Sequence, residues 1–433
     1  MDSKGLSVRS SYIGKLGRLE KRFFSIFIIE DRAKQALCKL ALEPEWEARF
    51  ETNSYGFRPG RNCHDAVKVI FLALQNKSKE KCFHKYILDV DISKYWGRID
   101  SDYLLNKLET FPEIKGYVKL WLKAGTIKKN LDEKEEINLL ENITGTSQGE
   151  IILPLLSNIV FHGLENHMKE WICGKLLFAK INNDNIKYKS KSFTFIRYVN
   201  NLVLIHKDEN IIREAKKEIA KWFWDGPYLK LTEEKISIRN TNNSFNFLGF
   251  TFITISKNNI STIKVYPSRK SQALLLLEVR SILQNNRSVS SYTLINFIYP
   301  IIIEWAHYYK YSECSLVFKK LSYLIVQKLR AWVFRRDTRN GRKVIKQRYF
   351  PNDQSYCFEG TRYYDNWILN GKQLSKHYIP KYNWLPHMIW VKREKWIKIN
   401  GRKSPFDRDN LYWEKRIQIE GNYTLWQYKL IQL

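Results

Sequence analysis

The stretch FIRYVNNLVLIH, residues 195–206, constrains the fold of this chain more than any other segment. Two apolar runs flank a short polar turn, which is the pattern of two antiparallel strands joined in a β-hairpin. Upstream, KYILDVDISKYW is predicted to form a strand that places Asp89 and Asp91 on one face and Val90 on the other. Acidic strand ends, together with the helical segments around them, predict an α+β fold.

Helical periodicity occurs on both sides of these strands. Over residues 31–50, the spacing of Ala33, Leu37, Leu40 and Ala41 predicts one apolar helix face. Further segments with helical spacing or helix-start signals are 64–74, 101–125, 151–168 and 210–223.

From about residue 270 onward the pattern becomes helical. Leu321, Ile325, Leu329 and Trp332 recur at i, i+4, i+8 and i+11, which predicts one buried face of a long helix. The cations along or just beyond this helix are Lys319, Lys320, Lys328, Arg335, Arg336, Arg339, Arg342 and Lys343. Such a row is often only a solvated face, but the density of Arg beside aromatic residues favours contact with RNA.

The net charge indicates a polyanionic partner. The 433 residues include 73 Lys and Arg against 44 Asp and Glu, which gives a formal charge of +29. A chain this basic repels itself unless a polyanion offsets the charge. Aromatic residues make up 14% of the chain, which suits RNA because unpaired bases stack on aromatic rings. A basic surface kept only for solubility is the alternative.

Cysteine spacing and hydropathy argue against several other classes. The six cysteines lie far apart without a CxxC pair, so neither a zinc site nor a secreted disulfide framework is expected. The apolar runs fall short of the ~20 residues that a membrane span needs, and we expect no membrane partner. The abundance of Lys, Asn, Ile, Tyr and Phe is typical of AT-rich coding, which favours a chloroplast and, as the alternative, a mitochondrion.

The polar turn of the hairpin determines which chemistry the fold can support. Nucleotide addition uses two Mg²⁺ ions, and such hard cations need carboxylate oxygens from at least two residues. Asp91 is placed to supply one carboxylate, but Asn200 and Asn201 stand where an adjacent acid pair would supply the others. A neutral amide offers one carbonyl oxygen and an NH₂ group that repels a cation. We therefore expect Asp91 to be vestigial and no functional metal site to form.

Six sequence blocks resemble, in the same order, those of group II intron reverse transcriptase/maturases. They are SYGFRPGRNCHDAV (54–67), DISKYWGRID (91–100), GTSQGEIILPLLSNI (145–159), RYVNNLVLIHKDE (197–209), LTEEKISI (231–238) and NFLGF (246–250). Residues 295–340 resemble the thumb, or maturase X, domain of that family. GRKSPFDRDNLYWEKR (401–416) resembles the segment that precedes the family's HNH nuclease.

The resemblance implies a right-hand polymerase-like fold. We expect a short basic N-terminal segment at 1–22, fingers and palm at 23–260, and an α-helical thumb (maturase X) domain at 270–345. A small, basic and aromatic-rich C-terminal domain is expected at 346–433. No HNH cysteines follow, so DNA cleavage is not expected.

The resemblance also assigns roles at the hairpin. Asp91 would be the first metal ligand, and YVNN at 198–201 replaces the YADD that supplies the other two acids in the family. Further departures lie at Gly97, where the family usually has Asp, and at Ser147 and Glu150, where the family usually has the motif PQGG. Departures that cluster on the polymerase site indicate a site released from catalysis.

These features lead to a non-enzymatic function as the first hypothesis. We expect a maturase that binds its host group II intron RNA and stabilises the active ribozyme fold, a role that requires no cofactor. One alternative is an active RNA-directed DNA polymerase for intron mobility, which would need Mg²⁺. A second is a decayed reading frame without activity. A homodimer is left open as an assembly state.

The residues predicted to contact RNA lie in three regions. In the thumb they are Lys319, Lys320, Lys328, Arg335, Arg336 and Arg339. Arg58 and Arg61 flank a Gly/Pro turn and are predicted to contact phosphates, with turn capping or pairing with acids as the alternative. Lys235 is predicted to neutralise phosphate, with an ordinary surface lysine as the alternative.

Overall fold

The computed structural model describes nine stretches of the chain, and all structural statements below concern these residues. They are 8–14, 21–75, 85–92, 99–126, 151–178, 193–231, 236–257, 260–374 and 380–420. The chain divides into two compact units. The first comprises Met1–Asn243, Thr254–Thr262 and Ile397–Leu433, and the second comprises Ser244–Ile253 and Ile263–Trp396.

The centre of the first unit is a four-stranded antiparallel sheet. Its strands are β3 (Tyr86–Asp91), β4 (Thr194–Tyr198), β5 (Asn201–His206) and β6 (Ile236–Asn240), in the order β4-β5-β3-β6. The register pairs Asp91 with Asn201 across β3 and β5, and Tyr198 with Asn201 across the hairpin. Two more strands, β1 (Val8–Gly14) and β2 (Lys21–Phe27), form a separate antiparallel pair. The predicted hairpin and the predicted strand before it are therefore both confirmed.

The first unit also contains helices, and several of them pack on one face of this sheet. The helices are α1 (Ile29–Arg49), α2 (Cys63–Leu74), α3 (Ser101–Lys107), α4 (Pro112–Thr126), α5 (Leu153–Phe161), α6 (Leu164–Phe178), α7 (Glu209–Asp225) and, from the C-terminal part, α12 (Asn410–Glu420). Leu88 and Val90 of β3 and Leu202 and Leu204 of β5 are buried in one core cluster with residues from α5 and α7. Because side chains alternate along a strand, Asp89 and Asp91 lie on the opposite face, as expected.

The helix α1 forms where it is predicted, but its predicted apolar face is wrong. Leu37 and Leu40 are 66% and 60% exposed, whereas the buried face carries Gln35, Leu42 and Glu47 among other residues. One buried acid of this helix, Glu47, pairs with Arg58 as described below, so hydrophobic spacing alone could not identify the face.

The predicted helix over 151–168 is divided into α5 and α6 at His162. The Lys107 ammonium donates to the carbonyl oxygens of Val160 (3.0 Å) and His162 (2.6 Å) at the end of α5. The Glu51 carboxylate accepts the backbone N–H of Gly163 at the start of α6. These two charged groups stabilise polar backbone atoms that a continuous helix would have paired internally.

The second unit combines short sheets with long helices. Its helices are α8 (Arg269–Asn285), α9 (Ser291–Tyr309), α10 (Ser315–Arg336) and α11 (Arg342–Tyr349), followed by the short 3₁₀ turn Met388–Trp390. Strands β7 (Phe245–Phe247), β8 (Phe250–Lys257) and β9 (Ile260–Pro267) form one sheet, of which Thr254–Thr262 are assigned to the first unit. The hairpins are β10 (Ser355–Phe358) with β11 (Thr361–Tyr364), and β12 (Asn370–Leu374) with β13 (Pro380–Trp384). The predicted α10 face is confirmed, since Leu321, Ile325, Leu329 and Trp332 are buried.

A glycine turn connects β7 and β8 and packs against α9. Gly249 has φ +82°, and a Cβ built there would lie 2.5 Å from the Tyr309 hydroxyl oxygen. The Tyr309 hydroxyl donates to the Gly249 carbonyl (3.2 Å), and the Tyr308 hydroxyl donates to the Leu248 carbonyl (2.9 Å). The NFLGF block therefore needs glycine for both its backbone conformation and this close approach.

Residues 397–420 belong to the first unit, so the C-terminal domain predicted at 346–433 is divided between the two units. Nη2 of Arg416 lies 2.7 Å from Oδ2 of Asp65, and both side chains are almost fully buried. The Ile399 backbone N–H donates to the other carboxylate oxygen of Asp65 (2.8 Å). A Cβ at Gly60 would lie 2.7 Å from the Trp413 ring. The C-terminal segment is thus packed against the SYGFRPGR turn.

No helix among the described residues is both long enough and apolar enough to cross a membrane. Five cysteines fall in described stretches, and none of these forms a disulfide: Cys38, Cys63, Cys173, Cys314 and Cys357.

Candidate functional site

The YVNN turn brings Asn200 next to Asp91. Val199 is in the left-handed region with φ 56°, which is rare for a β-branched residue and indicates a backbone held by its surroundings. Two hydrogen bonds fix the turn from the sides: the Ile92 N–H donates to the Asn200 carbonyl (2.9 Å), and the Tyr55 N–H donates to the Arg197 carbonyl (2.9 Å). The hairpin keeps its geometry although its acids are absent.

The side chains of this turn form a chain of amide donors that ends on a carboxylate. Nδ2 of Asn200 donates to Oδ1 of Asp91 (3.1 Å), and Nδ2 of Asn201 donates to Oδ1 of Asn200 (3.3 Å). Because an ionised carboxylate only accepts hydrogen bonds, it orients the NH₂ group of Asn200 towards itself. The amide places partial positive charge at the position where a cation would approach Asp91.

Asp89 is the second carboxylate on this face of β3. Its burial raises its pKa to about 6, with the nearby Arg239 guanidinium lowering it and the Asp91 carboxylate raising it. Among the described residues, no group of three or more His, Cys, Asp or Glu side chains could hold a metal ion.

The donor set of this face therefore does not fit a pair of magnesium ions. Such a pair needs several carboxylate oxygens, whereas here one exposed carboxylate is engaged by an amide and the other is largely buried. The prediction that no functional metal site forms stays a prediction, and no catalytic step is derived through a metal.

Arg58 and Arg61 are buried, and the structure supports the alternative that they pair with acids. Nε and Nη2 of Arg58 donate to the two carboxylate oxygens of Glu47 (2.8 and 2.6 Å), and Nη1 donates to the Ser54 carbonyl (2.9 Å). Nη1 of Arg61 donates to the Thr52 carbonyl (2.7 Å). Both side chains are 1% exposed, so the prediction that they contact phosphates is wrong.

The cations of α10 behave differently, because most of them face solvent. Lys319, Lys320, Arg335, Arg336 and Arg339 are exposed and Lys328 is half-buried. Lys328, Arg335 and Arg336 line a cleft of about 550 Å³ between α8 and α10. The other lining residues are Arg280, Leu283, Gln284, Arg287, Ala331 and Trp332. Among the residues that the structure describes, five cationic side chains and no acid line this cleft, which we call the basic cleft.

Aromatic and backbone contacts position one cation of the basic cleft. The Arg336 guanidinium lies over the Trp332 ring at 5.1 Å, and Nη2 of Arg336 donates to the Ser288 carbonyl (3.0 Å). Trp332 in turn donates through Nε1 to the Asn286 carbonyl (3.1 Å). Concentrated positive charge above an aromatic ring is suited to a phosphate backbone with bases nearby.

Sequence reasoning missed Arg280 and Arg287, although it identified their three partners on α10. Arg280 lies on α8 and Arg287 lies in the segment just after it, both far from α10 in the sequence. Because Arg287 lies outside the helix, no helical spacing could have identified the pair. Lys319, Lys320 and Arg339 do not line the basic cleft. Lys235, Gly97, Ser147 and Glu150 lie outside the described residues.

Comparisons with known proteins agree with this architecture. Residues 13–252 match the reverse transcriptase (RNA-dependent DNA polymerase) family, and residues 274–350 match the group II intron maturase-specific domain. The chain therefore belongs to the reverse transcriptase family. Within that family it is a group II intron maturase-type protein, and its reverse-transcriptase-like fold is the one expected from the sequence.

Several curated relatives show the same relationship. The chain is 29% identical over 266 residues to Protein YkfC of Escherichia coli K12, covering 57% of this chain and 67% of that protein. It is 28% identical over 291 residues to Maturase-like protein 1 of Euglena gracilis, covering 67% of this chain and 54% of that protein. It is 30% identical over 164 residues to the group II intron-encoded protein LtrA of Lactococcus lactis, covering 36% of this chain and 24% of that protein. The chain thus spans about half of the Euglena relative.

Solved structures of telomerase are similar only at a distance. The apo telomerase of Candida tropicalis matches with a TM-score of 0.38 and 12% identity, covering 78% of this chain and 63% of that one. A similarity this low supports no argument about activity.

Proposed function

We propose that this chain is a splicing-only maturase, which binds its host group II intron RNA and promotes splicing without polymerising nucleotides. The observation that carries the proposal is the 3.1 Å hydrogen bond from Asn200 to Asp91. In place of paired carboxylates the hairpin has neutral amides. One of them donates a hydrogen bond to Asp91, the exposed carboxylate of β3. Polymerase chemistry loses its metal ligands, while nothing in RNA binding depends on them.

The basic cleft supplies the complementary half of the proposal. Five cations without an acid concentrate positive charge on the maturase-specific domain, and each neutralised phosphate releases counterions and so favours binding. A protein that binds only the native intron stabilises it by RT ln(1 + [L]/Kd), about 2.7 kcal/mol at a hundredfold excess over Kd. Such a gain shifts a modest RNA folding imbalance towards the active ribozyme.

A splicing assay on the host intron tests this proposal. Precursor RNA at physiological salt and low Mg²⁺ is expected to splice faster with the wild-type protein than without it. The Asp91→Ala variant is expected to splice as well as the wild type, and an Arg287→Gln, Arg335→Gln variant is expected to splice less. Loss of splicing in Asp91→Ala with intact folding and RNA affinity, or no stimulation by the wild type, would overturn the proposal.

Location and assembly belong to the same proposal. Some relatives carry intron names, including a protein in psbD intron 8 of Euglena gracilis and a protein in cob intron of Schizosaccharomyces pombe. Together with the AT-rich composition, this supports an organelle-encoded protein, with a chloroplast as the first location and a mitochondrion as the alternative. The homodimer stays a prediction, which sedimentation of the purified protein with and without RNA would test.

A further inference from the structure

A second cleft in the second unit lies between α9 and the C-terminal hairpins. Its volume is about 730 Å³. One wall is a row of α9 side chains at four-residue spacing, namely Ile295, Tyr299, Ile303 and His307, and the other wall comes from residues 357–359 and 382–384. We call it the aromatic cleft, and it shares no lining residue with the basic cleft.

Tyrosine rings line the aromatic cleft and yet stay open to solvent. Tyr382 is 67% exposed and Tyr299 is 40% exposed, whereas Phe358 is buried beneath them at 5%. The Lys372 ammonium lies 5.7 Å from the centre of the Tyr382 ring. A large ring that faces solvent beside a cation offers a stacking surface for a flat ligand with a nearby negative charge.

Amide groups at the wall of the cleft can form hydrogen bonds to the edge of such a ligand. Nδ2 of Asn383 donates to Oδ1 of Asn296 (2.8 Å) and to the Tyr292 carbonyl (3.0 Å), which fixes both amides in one orientation. Because Asn296 accepts through Oδ1, its NH₂ group is the part that can donate to a ligand. Amide donors and acceptors of this kind match the edges of nucleobases.

Positive charge beside the aromatic cleft favours an anionic ligand over an apolar peptide. Among the described lining residues the acid is Glu359, whose carboxylate lies 3.1 Å from Nε2 of His307. Lys372 is exposed and pairs with Tyr382 across the β12–β13 hairpin. A stacking surface, a fixed amide and a flanking lysine are the groups that recognise an unpaired base attached to its phosphate backbone.

We propose that the aromatic cleft binds one unpaired base of RNA, stacked on Tyr382 and read at its edge by Asn296. The inference rests on the proposed RNA-binding function and deepens it. The basic cleft responds to phosphate charge and cannot distinguish paired from unpaired RNA. The aromatic cleft adds that distinction, which would direct the protein to bulges and loops of a folded intron.

Two RNA hairpins with the same stem, one fully paired and one carrying a single-nucleotide bulge, test this inference. Fluorescence anisotropy at physiological salt measures the affinity of the full-length protein for each. We expect the wild type to bind the bulged hairpin about tenfold more tightly. Tyr382→Ala should reduce this preference to less than about twofold, Tyr382→Phe should keep it, and Asn296→Ala should weaken it.

Tyr364→Ala is the matched control, because Tyr364 is 73% exposed on β11 and does not line the cleft. It should retain the full preference for the bulged hairpin. Equal wild-type affinity for the two hairpins, or an unchanged preference in Tyr382→Ala, would overturn this inference alone. Failure of the wild type to bind either hairpin would overturn the proposed RNA binding as well.

Discussion

Nδ2 of Asn200 donates a 3.1 Å hydrogen bond to Oδ1 of Asp91, across the two strands that form the centre of the palm sheet. The contact joins the one exposed carboxylate of β3 to a neutral side chain that is nearly isosteric with aspartate. The turn thus presents a hydrogen-bond donor, and not a second carboxylate, to Asp91.

Restoring the acids should destabilise the protein when no divalent ion is present. An Asn200→Asp, Asn201→Asp variant loses both amide donors and places two new carboxylates near Asp91. We expect the free energy of unfolding in EDTA to fall by about 1–2 kcal/mol, from the lost hydrogen bonds and like-charge repulsion. Urea denaturation with and without Mg²⁺ measures this, and Mg²⁺ should recover part of the loss. Asn242→Asp in an exposed turn is the control, and equal effects of the two would refute the assignment.

The buried pair of Arg416 and Asp65 should contribute strongly to stability. Arg416→Met leaves the Asp65 carboxylate buried without its guanidinium, which should lower the free energy of unfolding by about 3–5 kcal/mol. Lys403→Met is the matched control in the same segment, because the Lys403–Asp409 pair is about one-third exposed on both sides. It should cost much less than the loss of the buried pair, because solvent screens an exposed ion pair. Chemical denaturation measures both variants. Similar losses would show that the buried pair contributes no more to the free energy of unfolding than the exposed pair does.

The basic cleft should determine the salt dependence of RNA binding. Arg287→Gln and Arg335→Gln should each weaken binding to any RNA and reduce the slope of log K against log salt by about one. Titrations at several salt concentrations measure the slope. Lys221→Gln, an exposed lysine of α7, should leave it nearly unchanged. A slope that responds equally to all three substitutions would assign the binding to overall charge instead of the cleft.

Asp89 should make stability depend on pH in the direction opposite to that of a salt-bridged acid. Because burial raises its folded pKa from 3.8 to about 6, the folded state binds more protons between these values. Stability from this group is therefore fully present below about pH 4 and is lost as pH rises through about 6. Asp89→Asn should stabilise the protein by about 1–3 kcal/mol at pH 7 and much less at pH 4. Denaturation curves at both values measure this, and an equal change at the two would contradict the pKa shift.

Local patterns were enough to predict much of the fold. The hairpin, the strand carrying Asp89 and Asp91, and the buried face of α10 follow from alternation and helical spacing, which depend only on neighbouring residues. The substitution of Asn200 and Asn201 for acids is likewise visible in the sequence. The hydrogen bond from Asn200 to Asp91 follows once β3 pairs with β5.

Contacts between distant segments could not be predicted in this way. Arg58 resembles a surface cation because its partner Glu47 lies on a helix whose buried face mixes acids with the apolar residues Leu42 and Trp46. Arg416 meets Asp65 across 351 residues, and no periodicity reports that return of the chain. The basic cleft likewise depends on how α8 packs against α10, which places Arg280 and Arg335 in the lining of one cleft.

Primer extension with purified protein is the most direct test of the central claim that this hairpin supports no polymerase chemistry. Wild-type protein, Asp91→Ala and a reaction without protein are compared on an RNA template with a DNA primer, in Mg²⁺ and all four deoxynucleotides. We expect no extension above background from either protein, although both bind the template. Robust Mg²⁺-dependent synthesis by the wild type that Asp91→Ala abolishes would contradict the claim.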